Sequence, residues 1–487
     1  MVAELFDREV ERATLERFVR AAGESTSVGV VYGRRRVGKS FLLRHLSDAH
    51  GGAYFQALQQ EEAPTLNRLG TWYGEQRDLG ARVAIDSWEQ ALRLLLDNPG
   101  PGPQLVILDE YPYLEAGREA LVRSVLQLLV DESRTSPSPR ATNRLILCGS
   151  ALSVMTSLLG GSEALRGRVQ MQLALRPFDY RLAAAYWKVD HDPTLAFHLH
   201  AVVGGMPGYR DLLLNAGTPS KLGELGDWLA AGVLDPGHAL FREDEYLLAE
   251  DRGLADRALH LSILSAVAAG ERTVKGIASA VGRERTALAR PLAALVMADL
   301  LTKTDDAFLR LRPLYALSEP LVHFIHSITV PDLARYEMRQ WRPAWTAADA
   351  RWRSAVLGPH FERLAREWTA RYAEAETTGG EVSSVHHAVF SCREHRGTHE
   401  LDVVAKDGKR VLLIGEAKFT NERRSLADLA RLEHCRELLA HHQPRQATPM
   451  RVALFARNGG FDRRLVTEAS RRDDVVLVDV DRLYHGG

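Results

Sequence analysis

Gly33-Arg34-Arg35-Arg36-Val37-Gly38-Lys39-Ser40 constrains this chain more than any other stretch. The pattern G-x-x-x-x-G-K-[ST] calls for a strand before it and a helix after it. Both neighbours read that way. Ser27-Val28-Gly29-Val30-Val31-Tyr32 is a short apolar run suited to a buried strand. Phe41-Leu42-Leu43-Arg44-His45-Leu46 spaces its apolar residues as a helix does. Gly33 and Gly38 let the backbone turn tightly, so its N–H groups converge, and the helix adds the positive end of its dipole. Such a loop cradles phosphate. Gly33, Arg34, Arg35, Arg36, Val37, Gly38, Lys39, Ser40 and Phe41 are therefore candidate ATP-binding residues. Lys39 would reach the β/γ-phosphates and Ser40 would ligate Mg²⁺. A chance glycine turn before a helix would share this spelling, but nothing would then require a second motif.

That second motif is Gln104-Leu105-Val106-Ile107-Leu108-Asp109-Glu110, an apolar strand ending in two acids. Strand tips of a parallel sheet are where such folds present ligands. Asp109 is placed to hold Mg²⁺ through water, and Glu110 to deprotonate the attacking water. A surface acid after a strand is the plainer reading of Glu110. A further strand, Arg144 to Ser150, ends in Gly149-Ser150, where Ser150 would contact the γ-phosphate or merely satisfy a strand end. Arg168 or Arg166, in Leu165-Arg166-Gly167-Arg168, is a candidate arginine finger, against the alternative of a solvated arginine. Near the start, Arg8 and Glu9 open a helix that would pack over an adenine or simply be a capped helix start.

At 487 residues the chain is too long for one core. A formal net charge of −1 gives no global attraction to nucleic acid or membrane, so any such site must be a local patch. The N-terminus lacks a charged region followed by a long apolar run, and no window is apolar enough to span a membrane. Cys148, Cys392 and Cys435 are few and odd in number, which suits a reducing cytoplasm.

Helical patterning runs from about Tyr180 to Leu248 and reads as a lid on the nucleotide domain. Residues 257–317 read as three helices and a hairpin, a winged helix-turn-helix, with Arg283, Arg285 and Arg290 available to DNA phosphates. Pro291, inside the third helix read over Arg283–Val296, would kink it or shift its start. The Pro/Gly run Asn98–Pro103 and the polar stretch Ser133–Asn143 read as loops.

The last third carries a second chemistry. Glu400–Ala405 reads as a strand, Lys406-Asp407-Gly408-Lys409 as a hairpin turn, and Arg410–Lys418 as the returning strand. Asp402 with Glu416 and Lys418 is a metal-nuclease arrangement. Period two puts Glu416 and Lys418 on one face, and the hairpin brings Asp402 beside them. Asp402 and Glu416 would bind Mg²⁺, Lys418 would position water, and Glu362 from the preceding helix would add a carboxylate. A surface hairpin with alternating charge is the plainer alternative. Cys392, His395 and His399, with His386 and His387, have ligand-like spacing but only one thiolate.

With these residues together, the chain resembles the archaeal-type ATPase family, which also occurs in bacteria. The resemblance rests on Phe6-Asp7-Arg8-Glu9, the Gly33–Ser40 loop, Leu105–Glu110, Gly149-Ser150, Gly167-Arg168, Gly204-Gly205-Met206-Pro207, Tyr315–Pro320, and Asp402 with Glu416-Ala417-Lys418. It implies an α/β multidomain chain. The parts are a P-loop ATPase core (1–178), a helical lid (179–250), a winged helix-turn-helix (251–320) and a DUF234-type, restriction-endonuclease-like domain (345–487). It also implies ATP binding and hydrolysis and a link to DNA through the last two domains. The loop and acid motifs add Mg²⁺, an arginine supplied by a neighbouring subunit as in AAA assemblies would make a homo-oligomer, and the lack of a long apolar window gives no membrane partner. Glu319 stands where an Asp is expected before the proline, and Ala417 where a Cys is frequent.

Overall fold

The structure, a computed structural model, describes residues 5–487 apart from 22, 24, 97–103, 136–142, 161–164, 309–312, 393–396 and 443–449. The run Asn98–Pro103, the middle of the 133–143 stretch, His395 and the Cys392 side chain lie outside the described residues. The chain forms two compact units, Met1–Pro177 with Leu247–Ala255, and Phe178–Tyr246 with Asp256–Gly487.

In the first unit, β1 (Ser27–Tyr32), β2 (Ala53–Gln56), β3 (Gln104–Asp109), β4 (Asn143–Gly149) and β5 (Val169–Ala174) form one sheet. Its order is β2-β3-β4-β1-β5 and every pairing is parallel. Such a sheet is buried on both faces, which is why β1, β3 and β4 contain no exposed residue. Helices Glu62–Gln76, Trp88–Leu96 and Glu119–Thr135 cover one face, where Leu69, Trp88, Leu92 and Leu126 share a core with Val30, Val106, Leu108 and Leu145. Gly29 lies against the helix Glu9–Arg20, and a Cβ there would stand 3.3 Å from the Phe18 ring. Because β1, β3 and β4 run the same way, the 33–40 loop, Asp109-Glu110 and Ser150 share the C-terminal edge of the sheet.

The second unit holds most of the stretch read as a lid. Residues 178–246 pack within it, and only Leu247 onward returns to the first unit. The helix Pro193–Val203 shows why: it is apolar all round and buried along its length after Thr194, so it needs a large body to enclose it. Phe197 meets Phe361 and Phe419, and His200 lies 3.1 Å from His360. Helices Arg257–Ala268, Val274–Ala280 and Ala289–Met297 precede an antiparallel pair, β6 (Leu301–Thr304) and β7 (Leu314–Leu317). The third helix starts later than its sequence suggested. A short 3₁₀ turn, Arg285–Leu288, comes first, which leaves Pro291 in the first helical turn, where its missing N–H costs nothing.

Five further strands follow: β8 (Ser384–Cys392), β9 (Gly397–Asp407), β10 (Arg410–Lys418), β11 (Arg451–Ala456) and β12 (Val475–Val478). Their order is β12-β11-β10-β9-β8. β8, β9 and β10 are antiparallel, whereas β10, β11 and β12 are parallel, joined through helices Leu426–His442 and Arg463–Ala469. The expected hairpin turn is present, with Gly408 at φ 55°. The helix Gly358–Arg371 packs on this sheet, where Trp368 meets Phe455 with ring centroids 5.9 Å apart.

Candidate functional site

The phosphate loop leaves β1 at Tyr32 and enters the helix Lys39–His50 through Gly38, whose φ of 96° is glycine's territory. Gly33 is equally committed, since a Cβ there would stand 2.3 Å from the Leu175 carbonyl oxygen. No side chain caps the helix, so its first N–H groups remain available to a ligand. Lys39 is buried, and its ammonium donates to the carbonyls of Gly33 at 2.8 Å and Arg34 at 3.0 Å. Arg8 braces the loop from outside by donating to the Val37 carbonyl at 3.3 Å and the Arg176 carbonyl at 2.8 Å, while Glu9 is exposed.

Across the sheet edge, Asp109 is fully buried at the tip of β3. Its carboxylate accepts the Tyr54 hydroxyl from β2 and, at 3.0 Å, the Glu110 backbone N–H. Burial, and then Asp109, push the Tyr54 phenol well above its ordinary range. Tyr54 therefore holds one of the residues expected to bind Mg²⁺, and no sequence pattern pointed to it. A hydroxyl and a carboxylate are hard oxygen donors, a set that fits Mg²⁺. Glu110 turns the chain at φ 51°, a conformation few non-glycine residues adopt. Ser150 donates to its carboxylate, at 3.0 Å to Oε2. Gly149 is required just before Ser150, because a Cβ there would lie 2.6 Å from Pro112 Cδ.

Two parts of this edge come from elsewhere. Arg35 pairs with Glu250 of the returning segment Leu247–Ala255, and Asp251 in the same segment accepts from the backbone N–H and hydroxyl of Ser153. Arg168 is a correction. It precedes β5, whose first residues pair with the start of β1, so it stands at the opposite end of the sheet from the loop. There Asp131 holds its guanidinium by two bonds, of 2.8 and 2.7 Å. It cannot serve as an arginine finger for its own chain's loop.

In the second unit, Asp402 and Glu416 stand one step beyond the Gly415–Val403 pair of β9 and β10. Asp402 accepts the Ala417 N–H at 2.8 Å, and Arg366 donates to its backbone carbonyl at 2.9 Å. Glu416 is buried and held by three cations: Lys418 at 2.8 Å, Arg424 and Arg431. Among the described residues no group of three or more His, Cys, Asp or Glu could hold a metal ion. The expected cluster of Asp402, Glu416 and Glu362 is thus not assembled, because Glu416 is turned to these cations. Histidines 386, 387 and 399 likewise form no metal group there. Glu362 is near Asp402, and burial together with that charge pushes its carboxyl up to about 7.

A carboxyl with a higher pKa folded than unfolded holds its proton more tightly when folded. Its contribution is complete at low pH and is lost as pH rises through the ordinary carboxylate range toward 7. Glu362→Gln, which never ionises, is expected to flatten that loss. The urea midpoint of the variant relative to the parent should rise from about pH 5 to about pH 8, and a constant difference would mean that Glu362 is ionised throughout.

A glycine loop after the strand β1, an acid pair after β3 and the order β2-β3-β4-β1-β5 define a P-loop nucleotide-hydrolase fold. Residues 5–190 match the family model described as an ATPase domain predominantly from Archaea, and this segment holds the whole of that site except Glu250 and Asp251. No curated protein matches the chain. Among solved structures, the Walker-type ATPase PABY2304 of Pyrococcus abyssi is 20% identical, with a TM-score of 0.50, covering 66% of this chain and 96% of that one. The ORC2 protein of Aeropyrum pernix, in ADPNP and ADP complexes, is 17% identical, with a TM-score of 0.46, covering 69% and 96%. The likeness to the Pyrococcus ATPase carries the fold, and the family match supports ATP binding and hydrolysis by the first unit. Among the described residues no helix is long and apolar enough to cross a membrane.

Proposed function

We propose that the chain is an Mg²⁺-dependent ATPase whose second unit engages DNA. The observation that carries the reading is the shared sheet edge. Lys39 and Ser40 stand in the phosphate loop, Asp109 is held by Tyr54, and Glu110 is held by Ser150. The loop amides and Lys39 bind the phosphates, Ser40 and Asp109 hold Mg²⁺, and Glu110 takes a proton from the attacking water. Bound Mg²⁺ supplies charge neutralisation at the transferring phosphoryl group. An arginine finger, absent from Arg168, would come from a second copy of the chain.

The link to DNA rests on layout. Three helices followed by an antiparallel pair have the order of a winged helix-turn-helix, with Arg290 in the third helix and Arg283 and Arg285 in the segment that leads into it. The mixed sheet β8–β12 has the order of a restriction-endonuclease-like core, with Asp402, Glu416 and Lys418 on its central hairpin. Beside it, Glu362, Arg272, Arg363 and Arg366 line a cavity of about 620 Å³.

A second reading, in which this domain binds DNA without cutting it, is favoured by one observation. The Glu416 carboxylate is already matched by Lys418, Arg424 and Arg431. The test incubates the full chain with plasmid and single-stranded DNA, with Mg²⁺ or Mn²⁺, with and without ATP, beside Asp402→Ala and Lys418→Ala. Cleavage lost in both variants establishes a nuclease. No cleavage, with salt-sensitive DNA binding and intact ATP turnover, establishes the binding module.

A further inference from the structure

We propose that Glu250 is a discriminating residue of the nucleotide site: held by Arg35 of the phosphate loop, it opposes the γ-phosphate, and a nucleoside triphosphate binds by taking Arg35 from it. This deepens the ATP-binding reading of the loop and rests on it.

Position comes first. Glu250 is far from the loop in sequence, yet pairs directly with Arg35. Its carboxyl is raised by burial and also feels Arg35, Glu110, Arg36 and Lys39. Arg35 stands in the phosphate loop four residues before Lys39, so its partner Glu250 borders the place where a terminal phosphate is received. A diphosphate, held by Lys39 and the loop amides, leaves that place free.

Anchoring comes second. Asp251 accepts the Ser153 N–H at 3.2 Å and the Gly253 N–H at 2.9 Å, and also the Ser153 hydroxyl. Leu248 and Leu254 are buried. Ser153 lies in the helix that follows Ser150, so the segment is fixed to the strand end that carries Ser150. Glu250 is thereby held at the site rather than drifting past it.

The chemistry follows. A guanidinium fork binds a carboxylate or a phosphate with the same geometry, so Glu250 and the γ-phosphate compete for Arg35. In a partly buried site two like charges at close range repel strongly. The γ-phosphate gains Arg35 only at the cost of displacing Glu250, while a diphosphate meets no such cost.

The test measures binding of ADP and of the non-hydrolysable triphosphate AMP-PNP to the full chain by calorimetry. Glu250→Gln keeps shape and hydrogen bonding but removes the charge. It is expected to tighten AMP-PNP about tenfold and to change ADP by less than about threefold. Arg35→Gln added to Glu250→Gln should remove most of that gain. An unchanged or weakened AMP-PNP affinity in Glu250→Gln, with ADP binding intact and lost in Lys39→Ala, overturns the inference and leaves the loop reading standing. Binding of neither nucleotide to the parent or to Glu250→Gln overturns both. Thermal melts of each variant separate loss of binding from loss of fold.

Discussion

Lys39→Ala is expected to lower ATP turnover about a thousandfold, because it deletes the loop ammonium placed for the β/γ-phosphates. Its ammonium is buried and sits on the Gly33 and Arg34 carbonyls, so the side chain is already folded into the loop that would receive phosphate. Electrostatic stabilisation in such a water-poor place exceeds its value at a surface. Removing Lys39 also frees two carbonyls, which costs up to about 1–3 kcal/mol if water does not replace it. A melting curve must therefore accompany the rate. A thousandfold loss with an unchanged melt assigns the effect to the site. Turnover within about threefold of the parent would remove Lys39 from the chemistry.

Glu110→Gln should separate chemistry from binding. Glu110 is positioned by an unusual backbone turn and by Ser150, which donates to its carboxylate. Glutamine keeps an oxygen for Ser150 and the size of the side chain, but cannot accept a proton. Turnover should fall about 10²–10⁴-fold while ATP affinity stays within about threefold. Asp109, which touches Tyr54 and the Glu110 backbone, remains in place in this variant. Measured together by phosphate release and calorimetry, a parallel loss of affinity and rate would instead make Glu110 a structural or nucleotide-binding residue.

Local chemistry made much of the first unit legible. The phosphate loop, the strands β1, β3 and β4 and the placement of Asp109, Glu110 and Ser150 follow from glycines, apolar runs and terminal acids close in sequence. The hairpin of β9 and β10 was readable for the same reason. Long-range partners were not. Tyr54 sits on a four-residue strand with no motif of its own, and its role appears only when β2 pairs with β3. Glu250 reaches the loop from a segment that returns to the first unit after residues 178–246. Two of the three cations on Glu416, Arg424 and Arg431, come from the loop and helix after β10, which period-two reasoning along one strand cannot see. Arg168 had a usable signal that motif spacing concealed. A residue just before a parallel strand must lie at the end of the sheet away from a loop that follows one. Sequence order alone also did not show that residues 178–246 pack within the second unit, as the buried helix Pro193–Val203 does.

The most direct measurement is phosphate release from ATP by the unmodified chain, titrated with Mg²⁺ and with ATP, with nucleotide binding followed in parallel. Hydrolysis at this loop requires release that saturates with ATP, needs Mg²⁺, and disappears in Lys39→Ala. Saturable ATP binding without any Mg²⁺-dependent release, under conditions where the protein stays folded, would contradict it.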